Sequence, residues 1–239
     1  MSFLNNREFI CNVSYKLDPA GFIMARVTHK TEIKAYDNET SGKVFLIYLQ
    51  DETGEIIATV FNDLCNTFFN QIETDQVYIF EHFEVNDAKK EYILVPHPFT
   101  LNFLKSTKAF PIGPIINSIP GTTYNLKSIS EIYEKPKGDA VDTIGICTEV
   151  GELIVVGDYH IREIELMDYD DYDGVIILTL WNEAAKEFNG KENDVILVKG
   201  ARIKEHNEVK KINLDWYAKM KINPNLPEAK SLIEWYNHL

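Results

Sequence analysis

The amino-acid sequence predicts an all-β protein with short helices, built as two tandem five-stranded barrels and a C-terminal helix. Three observations predict this class. One is an internal repeat, another is a series of short β-branched and aromatic runs separated by polar turns, and the third is a short helical pattern at the same place in each repeat. The 239 residues suffice for two small domains.

The internal repeat is clearest where residues 54–63, GEIIATVFND, align with residues 174–183, GVIILTLWNE. The identical columns are Gly54 and Gly174, Ile56 and Ile176, Ile57 and Ile177, Thr59 and Thr179, and Asn62 and Asn182. Similarity continues into both flanks. Two copies of one fold of about 110 residues each are therefore the economical interpretation.

Each copy has five runs typical of strands, with one helical pattern between the third and the fourth. The runs of the first copy are GFIMARVTHK, KVFLIYLQD, EIIATVFN, QVYIFEHFEV and EYILVP. Those of the second are VDTIGICTEV, REIELMD, GVIILTLW, DVILVKGARI and KINLDWYAKM. The helical patterns are NDLCNTFFNQI and NEAAKEFNG. Five strands with a helix after the third are the pattern of an OB-fold barrel.

Proline and glycine mark the domain boundaries. The stretch AFPIGPIINSIPG, residues 109–121, favours neither a helix nor a central strand. We therefore expect a linker at residues 107–122, between a first OB domain at 8–106 and a second at 123–239. Pro227 opens a segment with apolar residues at helical spacing, which predicts the C-terminal helix.

Composition and motifs argue against several classes of protein. The cysteines Cys11, Cys65 and Cys147 are widely spaced among apolar neighbours, which indicates buried thiols rather than disulfides or a zinc site. No phosphate-binding loop, hydrolase elbow or metalloprotease motif is present, so we expect no catalysis, no cofactor and no metal. No apolar run approaches the roughly 20 residues of a membrane helix, so we expect an intracellular chain without a membrane partner.

Several strings resemble the tandem DNA-binding core of the large subunit of replication protein A. In the first copy they are ARVTHK at 25–30 and DETGEIIATVFN at 51–62. In the second they are TLWNEAAKEF at 179–188, VKGAR at 198–202 and NPNLPEA at 223–229. The resemblance runs from about residue 10 to the C-terminus. It implies single-stranded DNA binding in replication, repair and recombination, and a nuclear location.

The resemblance also implies that each barrel stacks DNA bases on aromatic side chains. Phe61 and Trp181 match the family's position at the end of the third strand. Tyr92 matches the position in the loop between the fourth and fifth strands, where the second copy has His206 instead of the family's phenylalanine. Tyr36 matches an aromatic position in the first loop. Stacking on an aromatic contributes roughly 1–3 kcal/mol per base.

Basic and polar side chains near these aromatics are the candidates for phosphate and base contacts. They are Lys34, Lys43, Asn62, Lys89, Lys90, Thr179, Arg202 and Lys204, of which Asn62 and Thr179 are candidates for hydrogen bonds to bases. The first loop of the second copy, GELIVVGDYHIRE, has only His160 and Arg162 as basic residues, which indicates a weaker second site. The net charge of −13 disfavours polyanions at long range, but screening over about 8 Å lets a local basic groove act.

Two alternative functions stay open at this point. One is a telomeric single-stranded DNA-binding subunit of a telomerase holoenzyme, such as the ciliate paralogue, which would have the same framework. The other is a protein-interaction scaffold with a weakened DNA site, which the acidity and His206 favour. The resemblance further implies that the family's zinc ribbon and additional OB domain lie outside this sequence. Assembly with the family's smaller subunits is then expected to use regions absent from this chain.

Overall fold

A computed structural model describes residues 6–18, 20–37, 41–89, 95–113, 118–169, 174–206 and 209–239, apart from the side chain of residue 206. The chain divides into two compact units, Met1–Thr123 and Tyr124–Leu239. Each unit contains one closed five-stranded barrel.

The first unit has its barrel strands in OB-fold order. Its described elements are β1 (Arg7–Glu8), β2 (Phe22–Lys30), β3 (Lys34–Asp37), β4 (Ser41–Gln50), β5 (Glu55–Phe61), α1 (Asp63–Gln71), β6 (Val77–Asp87) and β7 (Phe99–Gly113). The barrel runs β2, β6, β7, β5, β4, and pairing of β4 with β2 closes it. Only β5 and β7 pair in parallel within this barrel.

The second unit repeats this arrangement. Its described elements are α2 (Ile129–Glu134), β8 (Ala140–Val150), β9 (Ile154–Val156), β10 (Tyr159–Met167), β11 (Val175–Trp181), α3 (Glu183–Glu187), β12 (Val195–His206), β13 (Val209–Leu214), β14 (Lys219–Ile222) and α4 (Pro227–Tyr236). The barrel runs β11, β13, β12, β8, β10, and β10 pairs with β11 to close it. Again the third and fifth barrel strands, β11 and β13, are parallel. The prediction of two tandem OB-fold barrels is confirmed.

Strand alternation separates the core of each barrel from its outer face. The inward residues of the third strands are fully buried: Ile56, Ala58 and Val60 on β5, and Ile176, Leu178 and Leu180 on β11. The residues between them, which include Thr59 and Phe61 on β5 and Thr179 and Trp181 on β11, lie on the other face. In each third strand every second residue is thus a core residue, and the threonine and aromatic positions of the repeat lie outside the core, on the face of Ile57 and Ile177.

Helix α4 covers the outer side of β8 and β12. Ala229 and Leu232 are buried against Ile144, Val195 and Leu197, which belong to these two strands. Pro227 occupies the first turn, where its missing N–H costs no hydrogen bond. The predicted C-terminal helix is therefore confirmed. Across the described ranges, no helix has the length and hydropathy that a membrane crossing requires.

A buried aspartate after the second barrel strand ties each barrel to the segment that precedes it. Asp51 is 1% exposed, and its Oδ2 accepts the Ile10 backbone N–H at 2.7 Å. Asp168 is 3% exposed, and its Oδ2 accepts the Ile129 backbone N–H at 2.6 Å. The aspartate that ends LQD and LMD in the sequence therefore has the same structural role in both copies.

Two details of the predicted strands and linker were wrong. Residues 107–113 of the predicted linker belong to β7, in which Pro111 pairs with Tyr78. The proline is tolerated because this half of β7 pairs with β6 alone, so it lies at a sheet edge. The fifth strand of the first barrel is β7 itself. The predicted strand EYILVP falls mostly outside the described residues, at 91–94.

The cysteines differ in exposure. Cys65 and Cys147 are buried as expected, and burial raises the pKa of the Cys147 thiol to about 11. Cys11 is exposed, contrary to the expectation. It lies in a 3-10 turn, Ile10–Asn12, in which Ile10 takes the buried position and turns its neighbour outward.

We predict that Asp168→Asn lowers the free energy of unfolding of the second unit by about 2 kcal/mol, because an amide accepts the buried Ile129 N–H more weakly than a carboxylate does. The tryptophans Trp181, Trp216 and Trp235 all lie in this unit, so urea unfolding followed by tryptophan fluorescence reports on it alone. The matched Asp51→Asn variant should leave the fluorescence transition in place and shift the transition followed by far-UV circular dichroism. An unchanged fluorescence transition in Asp168→Asn would contradict the role of this aspartate.

Candidate nucleic-acid interface

The first barrel places an aromatic pair at the end of its third strand. Tyr36 and Phe61 meet edge to face, with ring centroids 6.3 Å apart and an interplanar angle of 89°. The registers Tyr36 to Gly42, Lys34 to Val44 and Val44 to Phe61 put Lys34, Tyr36 and Phe61 on one face of the sheet. Phe61 is 38% exposed. The structure thus brings together three of the predicted site residues.

Gly42 is needed for this arrangement. A Cβ atom at this position would lie 2.6 Å from Tyr36 Cζ, closer than a carbon contact allows. The glycine therefore lets the tyrosine ring lie across the neighbouring strand.

The second barrel has the same kind of pair, made with a residue that sequence analysis missed. Tyr159 and Trp181 meet edge to face, with ring centroids 6.1 Å apart and an interplanar angle of 88°. Tyr159 begins β10, whereas Tyr36 lies on β3, on the other arm of the corresponding hairpin. Alignment of the repeats therefore does not pair the two tyrosines. The signal that could have found Tyr159 is its place beside the two-residue turn at Gly157 and Asp158, next to the end of the third strand.

A groove of about 560 Å³ beside Trp181 is lined by four strands of the second barrel, β10, β11, β12 and β13. Its lining residues are Ile161, Glu163, Thr179, Trp181, Lys204, Val209, Lys211 and Asn213. The groove contains the predicted residues Thr179, Trp181 and Lys204. Thr179 is only 5% exposed, and its hydroxyl lies 3.4 Å from Glu163 Oε1, so the carboxylate rather than the hydroxyl is the more accessible group.

The corresponding face of the first barrel carries amide and carboxylate groups. Thr59 on β5 is in register with Asn102 on β7, and Asn102 is in register with Glu84 on β6. Asn102 Nδ2 lies 3.4 Å from Glu84 Oε2. Sequence analysis missed Asn102, although it is a polar residue between the core positions Leu101 and Phe103 and therefore faces outward.

Both faces contain a buried polar atom without a hydrogen-bond partner among the described residues. These atoms are Asn102 Oδ1 in the first barrel and Trp181 Nε1 in the second. Most buried polar groups in proteins are paired, so an unpaired one calls for an explanation. Both atoms are covered by the protein, so a ligand reaches them only if the side chains that carry them move.

Asn62 and Asn182 are bound to the opposite strand beside the aromatic pairs, so their side chains are not free to contact bases. Each donates its backbone N–H to the carbonyl of the opposite strand, Lys43 for Asn62 and His160 for Asn182. Each side-chain Oδ1 also accepts the N–H of that same residue, at 3.2 Å in both copies. The φ angles of 52° and 49° lie in the left-handed region, which asparagine tolerates better than most residues.

The other predicted contact residues fall into three groups. Lys34 and Lys204 are exposed on the same faces as the aromatic pairs, and Lys89 is exposed just beyond β6. Lys43 lies on the opposite strand face, which it shares with the core residue Phe45, so it is not brought to the stacking face. The remaining positions, Lys90, Tyr92 and the side chain of His206, lie outside the described residues.

Arg202 is placed differently from the prediction. It is 5% exposed; its Nη1 donates to the Gly138 carbonyl at 2.6 Å, and its Nε donates to Tyr217 Oη at 3.1 Å. Burial, together with a hydrogen bond to Asp215, raises the pKa of Tyr217 to about 12. Arg202 shares the outer face of β12 with Lys204, but its side chain is buried and bound to Gly138, before β8, and Tyr217, after β13, so it is not available to phosphates. It is the last residue of GAR, and nothing in the sequence shows that these segments cover it.

The first loop of the second barrel offers apolar rather than basic surface. Its Arg162 donates to the backbone carbonyls of Gly151 and Ala185. Leu153, Ile154, Val155 and Val156 are 39–61% exposed. Within the described residues, no cluster of three or more potential metal ligands occurs.

Comparison with known proteins identifies the family. The model of the replication protein A OB domain matches residues 129–223. The replication protein A 70 kDa DNA-binding subunit of Drosophila melanogaster is 38% identical over 224 residues, which are 90% of this chain and 37% of that protein. The same subunit of Gallus gallus is 33% identical over 222 residues, 90% of this chain and 36% of its own length. The chain belongs to the replication protein A large-subunit family.

A solved structure agrees with this assignment. The replication protein A heterotrimer bound to single-stranded DNA superposes with a TM-score of 0.72 and 28% sequence identity, over 97% of this chain and 55% of that one. The chain spans little more than a third of the length of these large-subunit relatives. The part of the relatives that this chain matches therefore has the length of two OB domains.

We predict that Asn182→Ala destabilises the second OB domain by about 1–2 kcal/mol, whereas Asn182→Gly has a much smaller effect. Alanine loses the Oδ1 bridge and keeps a Cβ at positive φ, while glycine loses the bridge but relieves the backbone. Thermal unfolding followed by tryptophan fluorescence checks this order. Equal losses for the two variants would contradict the strain at this position.

Proposed function

We propose that this chain is a non-catalytic single-stranded DNA-binding module that uses its two OB domains in series. The observation that carries the proposal is the aromatic pair at the same place on both barrels, Tyr36 with Phe61 and Tyr159 with Trp181. Bases that are unstacked from each other offer two open faces, and a partly exposed aromatic replaces the lost stacking without demanding a particular sequence.

Polar atoms on the same faces support a nucleotide ligand. The exposed Glu84 carboxylate of the first barrel can accept from a base amino group, and the exposed Lys204 ammonium of the second can donate to a base carbonyl. In a duplex these base groups are already paired and the bases are stacked on each other. The arrangement therefore favours single strands over duplex DNA.

The electrostatics fit binding of moderate strength. Lys34 and Lys204 lie on the faces of the aromatic pairs and can reach phosphates, whereas Lys43 lies on the opposite face and Arg202 is buried. A net charge of −13 opposes long-range recruitment of DNA. Affinity then rests on stacking and on the two domains acting together, since a tethered second domain binds at high effective concentration.

We further propose that the chain works in the nucleus, in replication, repair and recombination. The relatives are subunits of replication protein A, and one solved relative is a heterotrimer on single-stranded DNA. Contacts with smaller subunits would use regions that this chain does not contain. No specific observation favours the telomeric alternative, and the paired aromatics argue against a scaffold whose DNA site is lost.

We predict that Trp181→Ala and Phe61→Ala each weaken binding of a 20-nucleotide single strand about tenfold or more, because each removes a stacking platform. Fluorescence anisotropy of a labelled strand, with an unlabelled duplex as competitor, measures the change. Trp216→Ala is the matched control for Trp181→Ala, and Phe110→Ala is the matched control for Phe61→Ala. Each control removes a partly exposed aromatic that lies in the same domain as its counterpart but away from the stacking face. The absence of single-strand binding by the unmodified chain at low salt would reject the proposed function and favour the scaffold.

We predict that Lys204→Ala reduces the slope of log affinity against log salt concentration by about 0.7, the value for one phosphate contact on a single strand. Lys204 is exposed and makes no ion pair with any described residue, so its charge is available to DNA. Lys230→Ala removes the same charge from the exposed side of α4 and should leave the slope unchanged. Equal slopes for the unmodified chain, Lys204→Ala and Lys230→Ala would exclude Lys204 from the phosphate contacts.

A further inference from the structure

Glu163 places a carboxylate on the base-stacking face of the second barrel. Its Oε1 accepts hydrogen bonds from Lys211 Nζ at 2.6 Å and from Thr179 Oγ1 at 3.4 Å. Oε2 makes no hydrogen bond to the described residues. The Glu163 side chain is 42% exposed. One carboxylate oxygen is therefore fixed by the protein and the other can accept a hydrogen bond from a ligand.

The position of Glu163 relative to Trp181 brings it within reach of a bound base. Ile161 is in register with Trp181, and Glu163 is in register with Thr179. Trp181 and Glu163 thus lie on one face, about two residues or 7 Å apart along the strands. A base that stacks on the Trp181 ring, or the next base along the groove, presents its edge to this carboxylate.

A carboxylate selects among bases because it only accepts hydrogen bonds. Cytosine, adenine and guanine each carry an exocyclic amino group that can donate to it, and a glutamate that accepts from the cytosine amino group is a known form of base recognition. Thymine has no amino group, and its only ring N–H is flanked by two carbonyl oxygens that the carboxylate repels.

We propose that Glu163 is a specificity-determining residue that makes the second barrel discriminate against thymine in favour of bases with an amino group. This proposal rests on the proposed single-stranded DNA binding and deepens it. Lys211 then has a positioning role, since its ion pair holds Glu163 Oε1 in place beside Thr179.

The simplest competing explanation is that the Glu163–Lys211 pair only adjusts charge. An exposed ion pair contributes little to stability. If its only effect on DNA were to neutralise Lys211, removal of the Glu163 charge would strengthen binding of every single strand by the same factor. Base reading instead changes the ratio of affinities between strands of different base.

Homopolymers of deoxycytidine and thymidine form a closely matched pair of ligands for the test. Both are pyrimidines that stay single-stranded, and they differ mainly in an amino group against a carbonyl oxygen at the ring position that would face Glu163. Affinities of the full chain for 20-nucleotide strands of each are measured by anisotropy at one salt concentration.

We expect the unmodified chain to bind the cytosine strand about tenfold more tightly than the thymine strand, as for one hydrogen bond to a charged group. Glu163→Gln should reduce this ratio to within about twofold, because an amide both donates and accepts. Glu192→Gln removes the same charge from an exposed loop outside the groove and should keep the ratio. Lys211→Ala keeps the carboxylate but removes the ion pair that positions it, so this variant should lower the preference for cytosine less than Glu163→Gln does.

Three results would overturn the proposal. The first is an unmodified chain that binds both strands equally, and the second is a Glu163→Gln variant that binds both more tightly by the same factor. The third is a Lys211→Ala variant that loses the preference as fully as Glu163→Gln does, with both variants keeping the fluorescence unfolding transition. Failure of the unmodified chain to bind either strand would instead reject the underlying DNA-binding function.

Discussion

The closure of each barrel is the constraint on which the other features depend. Once β4 joins β2, and β10 joins β11, the side chains of the third strands must alternate between a sealed interior and an outer face. Ile56, Ala58 and Val60 fill the interior, which forces Thr59 and Phe61 outward. The position of the aromatic pairs, on which the proposed stacking depends, is therefore a consequence of core packing.

The sequence was sufficient to predict the fold because the repeat, the strand alternation and the helix after the third strand all agree. It was also sufficient to place Phe61 and Trp181 on the outer face, because alternation along a core strand decides the side on which each lies. It failed where a side chain's environment depends on distant parts of the chain. Arg202 is covered by the segments of Gly138 and Tyr217, and Lys43 lies on the core side of its strand. Tyr159 reaches Trp181 from the other arm of the hairpin than the one that carries Tyr36.

Each barrel has its own aromatic pair, but the groups around the pair differ between the two barrels. The first barrel presents Lys34, the Asn102 amide and the Glu84 carboxylate. The second has an apolar first loop and a groove in which Glu163 pairs with Lys211. Loss of cations at the second site lowers its general attraction to phosphates, and a carboxylate at the bases adds a means of selection. In this account, the acidity of the chain accompanies a division of roles, with one barrel binding generally and the other reading bases.

The most direct test of the central claim is whether Trp181 itself stacks on DNA. In a chain that carries Trp216→Phe and Trp235→Phe, Trp181 is the sole tryptophan, and its emission reports contact with a base. The account predicts saturable quenching by a single strand, at the same concentrations that raise the anisotropy of that strand, and little quenching by a duplex. Binding detected by anisotropy with unchanged Trp181 emission would place the DNA elsewhere on the protein and contradict the account.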